Sequence, residues 1–151
     1  MIKGTDDIKD ILKFMNAPID IELSYEKRNS KGYYFEYSIF TNKIISVIIK
    51  RHNKNHNENG PACIEFYNTG GFRSIYYYIN NILHRFNGPA VIFYDLFGNI
   101  IFEQYCLKGL LHNSRGPALR DFINKKWFNK YYLNNKPLTL DNFFKRYNKI
   151  C

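Results

Sequence analysis

The tripeptide Gly-Pro-Ala occurs three times in this chain, and successive copies are 28 residues apart. A histidine stands four residues before each glycine. Self-similarity at a fixed period indicates a repeat architecture, in which each unit buries its apolar surface against its neighbours. The repeated positions, which we interpret as structural, are His56, Gly60, Pro61, His84, Gly88, Pro89, His112, Gly116 and Pro117.

Each unit has the same order of elements. An apolar segment, a turn, the histidine and Gly-Pro-Ala are followed by a second apolar segment. The turn holds Asn80-Asn81 in one unit and Lys108-Gly109 in the next, and Asn134-Asn135 has a similar context. Asn and Gly tolerate the left-handed conformation that two-residue hairpin loops require. We therefore expect two strands per unit, joined as hairpins.

Proline cannot donate to a sheet ladder, so Gly-Pro-Ala is expected at a strand start, with the small alanine permitting close packing. This structural interpretation is favoured over a ligand-binding role. We expect His84 and His112 to be structural as well, each tying its turn to the Gly-Pro-Ala of its own unit. If each unit adds two strands at about 4.8 Å, equivalent histidines lie about 10 Å apart and cannot share one metal ion.

The predicted fold is mostly β: an array of antiparallel β-hairpins with a 28-residue period forms an elongated, curved sheet, with a short helix at each terminus. We expect residues 1–151 to form a single domain, with an N-terminal helical cap over 1–20, hairpin repeats over 33–138 and a C-terminal helical cap over 139–151. Apolar residues at helical spacing predict the first helix, and Thr139 is a suitable N-cap for the second.

The net charge of +9 is unevenly distributed, because residues 120–151 alone carry eight Lys or Arg against two Asp. Basic residues alternate with aromatic ones around Trp127, a mixture that suits a polyanion such as nucleic acid or acidic lipid. A solvated surface, with Trp127 and Phe128 in the core under the C-terminal helix, is the competing interpretation. The candidate polyanion-binding residues are Lys125, Lys126, Lys130, Lys145, Arg146 and Lys149.

No catalytic, cofactor or metal motif is recognisable. The three cysteines form no CxxC pair, and an odd number favours a reducing compartment over a disulfide framework. Cys63 takes the place of Val91 and Leu119 in the aligned units, so it fills an apolar position. We expect no enzyme activity and no cofactor. The N-terminus lacks a signal peptide and no segment is long and apolar enough for a membrane span, so a soluble cytoplasmic protein is expected.

The segments Ile82–Ala90 and Leu110–Ala118, together with Tyr131-Tyr132-Leu133-Asn134-Asn135, resemble the MORN-like repeat proteins of the His-x-x-x-Gly-Pro-Ala variant. Such proteins occur in giant viruses of amoebae and in some bacteria and phages. The resemblance covers about residues 33–138 and implies a non-catalytic scaffold or interaction module, acting in the host cytoplasm or viral factory. A viral or host protein partner, acidic lipid, or a homo-oligomer through sheet edges or ends is expected, and Tyr77 and Tyr105 are the candidate contacts.

Overall fold

The computed structural model describes residues 8–16, 32–37 and 43–147. Two helices and fourteen strands lie in these ranges. The helices are α1 (Ile8–Phe14) and α2 (Leu140–Tyr147). The strands are β1 (Tyr33–Tyr37), β2 (Ile44–Arg51), β3 (Lys54–Asn55), β4 (Cys63–Phe66), β5 (Phe72–Tyr76), β6 (Tyr78–Ile79), β7 (Ile82–Leu83), β8 (Val91–Tyr94), β9 (Ile100–Gln104), β10 (Cys106–Leu107), β11 (Leu110–Leu111), β12 (Leu119–Ile123), β13 (Lys126–Leu133) and β14 (Lys136–Leu138).

The prediction of a mostly β chain is confirmed. Nine strands follow one another across a large antiparallel sheet in the order β1-β2-β4-β5-β8-β9-β12-β13-β14, and β3 pairs with β2. Neighbours in the sheet are neighbours in sequence once the shortest strands are set aside, because short connections keep consecutive elements adjacent. The main sheet is therefore a meander, and every pairing between its strands is antiparallel.

The expectation of only two strands per unit was wrong. Two further ribbons, β6–β7 and β10–β11, project beside the main sheet, and each strand in them has two residues. Their turns are the predicted ones: Asn80 and Asn81 have φ of 52° and 66°, and Lys108 and Gly109 have φ of 50° and 79°. Strands this short show no alternating pattern, so only the turn residues indicated them.

The apolar core lies between α1 and one face of the sheet. Ile11, Leu12 and Met15 of the α1 segment are buried and belong to the same cluster as the sheet residues. On the sheet side a cross-strand row supplies Val47, Ile64, Ile75 and Ile92, which are paired in register on four adjacent strands. We call this side the covered face. The buried residues of this segment are one, three and four positions apart, which is the helical spacing from which the first helix was predicted.

The same row becomes charged further along the sheet. Ile92 is paired with Glu103, Glu103 with Arg120, and Arg120 with Asn129. Glu103 is only 7% exposed, and the Arg120 guanidinium lies 2.5 Å from its carboxylate and 4.5 Å from the centre of the Trp127 ring. A paired cation makes the burial of Glu103 tolerable. The covered face therefore has an apolar half under α1 and a charged half beyond it.

Helix α2 begins where the sequence predicts. The Asn142 N–H donates to the Thr139 hydroxyl over 3.3 Å, which is the N-cap contact. Phe143 of α2 is buried, and its ring centre lies 4.7 Å from that of Tyr131. In the part of the chain that the structure describes, no helix is long and apolar enough to cross a membrane.

Candidate interaction site

Three loops, which follow β3, β7 and β11, lead to the Gly-Pro-Ala segments at one end of the strands. We call them the first loop (His56–Gly60), the second loop (His84–Gly88) and the third loop (His112–Gly116). In each, the histidine backbone N–H donates to a backbone carbonyl seven residues earlier, that of Ile49 in β2, or that of Tyr77 or Tyr105, which lie between consecutive strands. The alanine after each loop is fully buried, as its predicted role in close packing requires.

The histidine rings do not bond to their own Gly-Pro-Ala segments, so that prediction was wrong. Each ring reaches the two-residue turn of the following unit instead. His84 Nδ1 accepts from the Lys108 backbone N–H over 3.0 Å, and His112 Nδ1 lies 2.7 Å from Asn134 Oδ1. His56 Nδ1 lies 2.9 Å from Asn80 Oδ1. The histidines thus join successive units.

We had predicted that the histidine bonds to the Gly-Pro-Ala segment of its own unit. The residue after each histidine makes that bond instead. The side-chain amides of Asn57 and Asn113 donate to the carbonyls of Pro61 and Pro117, both over 2.9 Å. In the second loop Arg85 Nη1 donates to the Pro89 carbonyl over 3.1 Å. A change of residue type leaves the bond intact because both amide and guanidinium groups carry N–H donors. Spacing alone could not show which of two adjacent polar side chains makes the bond.

We expect His84→Ala to lower the free energy of unfolding by about 1 kcal/mol, because the Lys108 N–H then has no protein acceptor. In a chain of this length that corresponds to a loss of roughly 2–4 °C in Tm. Differential scanning fluorimetry measures the Tm of both proteins, with and without EDTA.

The matched control for this experiment is His52→Asn. His52 has φ of 48° in an exposed turn, a conformation that Asn tolerates, so Tm should be unchanged. EDTA should leave the wild-type Tm unchanged as well. A chelator effect of several degrees would contradict a purely structural role for the histidines.

The groups that contact each of the three loops are different. At the first loop the Met15 carbonyl, which follows α1, accepts a 2.7 Å hydrogen bond from Asn57, and the Asn16 side chain donates to the Asn59 carbonyl over 2.9 Å. At the second loop the Arg85 guanidinium lies against Gly88 and 3.8 Å from the centre of the Tyr77 ring. Between the second and third loops lies a cleft of about 690 Å³. Its lining includes Arg85, Tyr105, Arg115 and Arg120.

The two tyrosines predicted as contact residues are half-buried rather than fully exposed. Tyr77 packs against the core cluster beneath Arg85, whereas Tyr105 borders the 690 Å³ cleft. Burial raises the pKa of both phenols, so they are neutral hydrogen-bonding groups at physiological pH. Of the two, Tyr105 is the better placed to touch a partner.

The candidate polyanion-binding residues lie on three elements. Lys125 is in the β12–β13 turn, Lys126 and Lys130 are on β13, and Lys145 and Arg146 are on α2. All five are exposed, and none forms an ion pair within the described residues. Lys149 lies outside the described residues.

The β13 lysines flank an exposed aromatic ring. Side chains alternate along a strand, so Lys126, Phe128 and Lys130 share the face opposite the covered one. Phe128 is 53% exposed, and therefore does not fill the core under α2. Trp127, on the other face, is half-buried and packs against Phe122 with ring centres 5.2 Å apart. The competing interpretation, with both rings in the core, was thus wrong for Phe128.

Sequence reasoning missed a group of exposed apolar side chains. Phe86 in the second loop is 78% exposed and Phe97 in the β8–β9 turn is 90% exposed. The Asp95 carboxylate accepts from the backbone N–H groups of Phe97 and Asn99 and from the Asn99 side chain, which orders the turn. These hydrogen bonds hold the pKa of Asp95 below its ordinary value, and the bond from the Asn99 side chain contributes most. The signal available in the sequence was Leu96-Phe97 before Gly98, where a turn normally carries polar residues.

Two titratable groups on the strands, the partly buried Glu65 carboxyl and the buried Cys106 thiol, make side-chain hydrogen bonds. Burial alone would raise the pKa of Glu65, but hydrogen bonds from Ser74 and Arg73 hold the pKa of that carboxyl below its ordinary value. Burial raises the pKa of the Cys106 thiol, which makes it a poor nucleophile. Cys63 is buried too. Within the described ranges, no group of three or more His, Cys, Asp or Glu side chains is placed to hold a metal ion.

No protein-family model matches this chain, and neither the curated proteins nor the solved structures contain a significant match to it.

Proposed function

We propose that this chain is a non-catalytic protein-interaction or scaffold module, and that its sheet is a single-domain, curved array of 28-residue MORN-like hairpin units. The hydrogen bonds that recur in the three loops support the repeat. Resemblance to the viral members of that family supports a role in the host cytoplasm, with a viral or host protein as partner. The exposed apolar side chains of the described residues support an interaction function.

The observation that carries the proposal is the uneven distribution of apolar exposure. Eleven of the twelve exposed large apolar side chains among the described residues lie at position 82 or beyond. Of the sixteen buried hydrophobic residues in the described ranges, only Cys106, Ala118 and Phe143 lie beyond position 92. Exposed apolar groups that cluster in one part of a protein mark interaction surfaces more often than scattered ones do.

The apolar groups occur at both ends of the strands in this part of the sheet. Phe86, Ile82 and Leu110 lie on the loops and ribbons at one end, and Leu96 and Phe97 lie in the turn at the other. A partner that covers either end would remove apolar surface from water, and aromatic side chains are typical anchors of such interfaces. The half-buried Tyr105 adjoins the loop end.

The test is affinity capture from an amoebal cytoplasmic extract with the full chain and with Phe86→Ser/Phe97→Ser. A specific partner should be retained by the wild type and reduced at least about tenfold by the double variant. Leu140→Ser is the matched control, because Leu140 is also exposed to water but lies on α2. A second double variant, Tyr77→Ala/Tyr105→Ala, tests the tyrosine contacts. If every captured protein binds both double variants as well as it binds the wild type, the proposed surface is wrong.

A polyanion-binding function is the second candidate, favoured by the Lys126–Phe128–Lys130 alternation on β13. Its lysines can neutralise phosphates while the ring stacks on a base, so binding should weaken by about tenfold or more between 50 and 200 mM salt. The affinity at each salt concentration is measured by fluorescence anisotropy with single-stranded DNA and RNA, and by co-sedimentation with anionic vesicles.

Lys126→Glu/Lys130→Glu should abolish the binding. The control is Lys13→Glu/Lys54→Glu, which makes the same change in net charge at two exposed lysines elsewhere. Equal losses in the two double variants would show that only net charge matters. Absence of binding at 50 mM salt would exclude this second function.

A further inference from the structure

The first loop shows what the His-to-Gly loops are shaped to hold. The two N–H groups of the Asn57 side-chain amide donate to different carbonyls, that of Pro61 in the loop and that of Met15 at the end of α1. A methyl group on Gly60 would overlap the Met15 carbonyl, so the glycine is needed to admit it. The backbone segment after α1 is thus received by an asparagine and a glycine.

The third loop has the same internal structure. Asn113 donates to the Pro117 carbonyl as Asn57 does to that of Pro61, and its Oδ1 accepts from the Arg115 backbone N–H as Asn57 Oδ1 does from that of Asn59. Within the described residues, however, the second N–H of the Asn113 amide has no acceptor. The two loops therefore differ in occupancy, not in shape.

Nothing in the described residues explains why position 116 is a glycine. Its φ is not in the left-handed region, and a methyl group added to it would meet Asn113 Nδ2 first, at 3.5 Å, which is an ordinary contact. Gly88, by contrast, has φ of 125° and is crowded by the Arg85 guanidinium. A glycine at position 116 is explained if an external carbonyl approaches it as the Met15 carbonyl approaches Gly60.

The surroundings of the third loop favour the negative end of a helix. The 690 Å³ cleft beside it is lined by Arg85, Arg115 and Arg120, and no carboxylate of the described residues lines it. Arg120 is paired with Glu103, but Arg115 has no ion-pair partner in the described part of the chain. Unsatisfied carbonyls at a helix C-terminus carry partial negative charge and are stabilised by nearby cations.

We propose that the third loop receives the C-terminal end of a helix from a partner protein, with a terminal carbonyl bound by Asn113 and seated against Gly116. This inference rests on the proposed interaction function and specifies the partner's chemistry. The occupant differs from α1, because the sheet row that is apolar under α1 carries Glu103 and Arg120 here. The partner helix should present polar or acidic side chains, instead of leucine and isoleucine, to the sheet.

A pair of equivalent glycine substitutions tests the premise. Gly60→Ala should lower Tm by at least about 5 °C, because it displaces the segment that follows α1 from the first loop. Gly116→Ala should change Tm by less than about 2 °C, because nothing in the described chain occupies that space. If Gly116→Ala destabilises the chain as much as Gly60→Ala does, Gly116 serves folding and the proposal is overturned.

The binding test uses the full chain and a hydrocarbon-stapled helical peptide whose glutamates face one side and whose last residues are Met-Asn-carboxamide. We expect saturable shifts of the Asn113 side-chain amide and the Gly116 backbone amide in NMR spectra, with a Kd of about 1 mM or tighter. Gly116→Ala should weaken binding at least about tenfold. A control peptide extended by one further turn of alanines, which moves the open carbonyls away from Met-Asn, should bind more weakly.

The outcomes separate this inference from the proposed function. Shifts that are absent at millimolar peptide, or unchanged in Gly116→Ala, overturn the helix-end site even if a partner is still captured through Phe86 and Phe97. If the peptide binds as expected but no partner is captured through Phe86 and Phe97, the helix-end site is supported. The apolar surface is then not the basis of the function. Failure of both experiments overturns both proposals.

Discussion

Ile75→Ala is expected to lower the free energy of unfolding by about 3–4 kcal/mol, within the range of about 2–5 kcal/mol typical of large-to-small core substitutions. Ile75 is 2% exposed and is paired with Ile64 and Ile92 on the neighbouring strands. The truncation removes apolar contacts from the cluster under α1 and leaves a cavity that a pleated sheet cannot close without losing strand pairing. Urea denaturation followed by circular dichroism measures the change, with the m-value unchanged if the denatured state is the same.

Ile82→Ala is the matched control for this core prediction. Ile82 is the same residue type but is exposed on a two-residue ribbon strand, where it lies close to Gly109. Its loss should cost less than about 1 kcal/mol. Equal costs for the two substitutions would contradict the assignment of the core to the α1 side of the sheet.

Arg120→Leu should lower the free energy of unfolding by about 3 kcal/mol, since it leaves the buried Glu103 carboxylate without its cation. The value is at the lower end for a broken buried pair because the Arg120 side chain is about one-third exposed. The stacking of the guanidinium on Trp127 is lost as well. Chemical denaturation at neutral pH gives the magnitude.

Glu103→Leu combined with Arg120→Leu should recover most of that loss. The double variant continues the apolar row beyond Ile92 and removes both charges, and such replacements of buried pairs are often neutral or stabilising. We expect a stability within about 1 kcal/mol of the wild type. If the double variant is no more stable than Arg120→Leu alone, the cost comes from the lost packing of the arginine and not from an unpaired carboxylate.

Local chemistry explains the parts of the fold that the sequence predicted correctly. The turns at Asn80-Asn81 and Lys108-Gly109 could be recognised because few residue types adopt positive φ at little cost. The same reasoning applies to the Thr139 N-cap and to α1, where the spacing of apolar residues along one short segment indicates a helix. Each of these features depends on residues only a few positions apart.

Contacts between units could not be predicted in this way. His84 and the Lys108 N–H are 24 residues apart, and their bond forms only once two ribbons stack beside the sheet. The change along the row from Ile92 to Glu103 and Arg120 also required the strand register, because a shift of one residue would move these side chains to the other face.

The sequence by itself showed the 28-residue spacing of its motifs, and it correctly predicted hairpin turns, a mostly β chain and a helix near each end. It could do so because periodicity, turn residues and caps are local properties. Only the tertiary structure decided what each loop holds: the segment after α1 at Gly60, the chain's own arginine at Gly88, and an open cleft at Gly116. The three Gly-Pro-Ala motifs are identical in sequence, and they differ because burial and hydrogen bonding depend on which distant groups the fold brings to each.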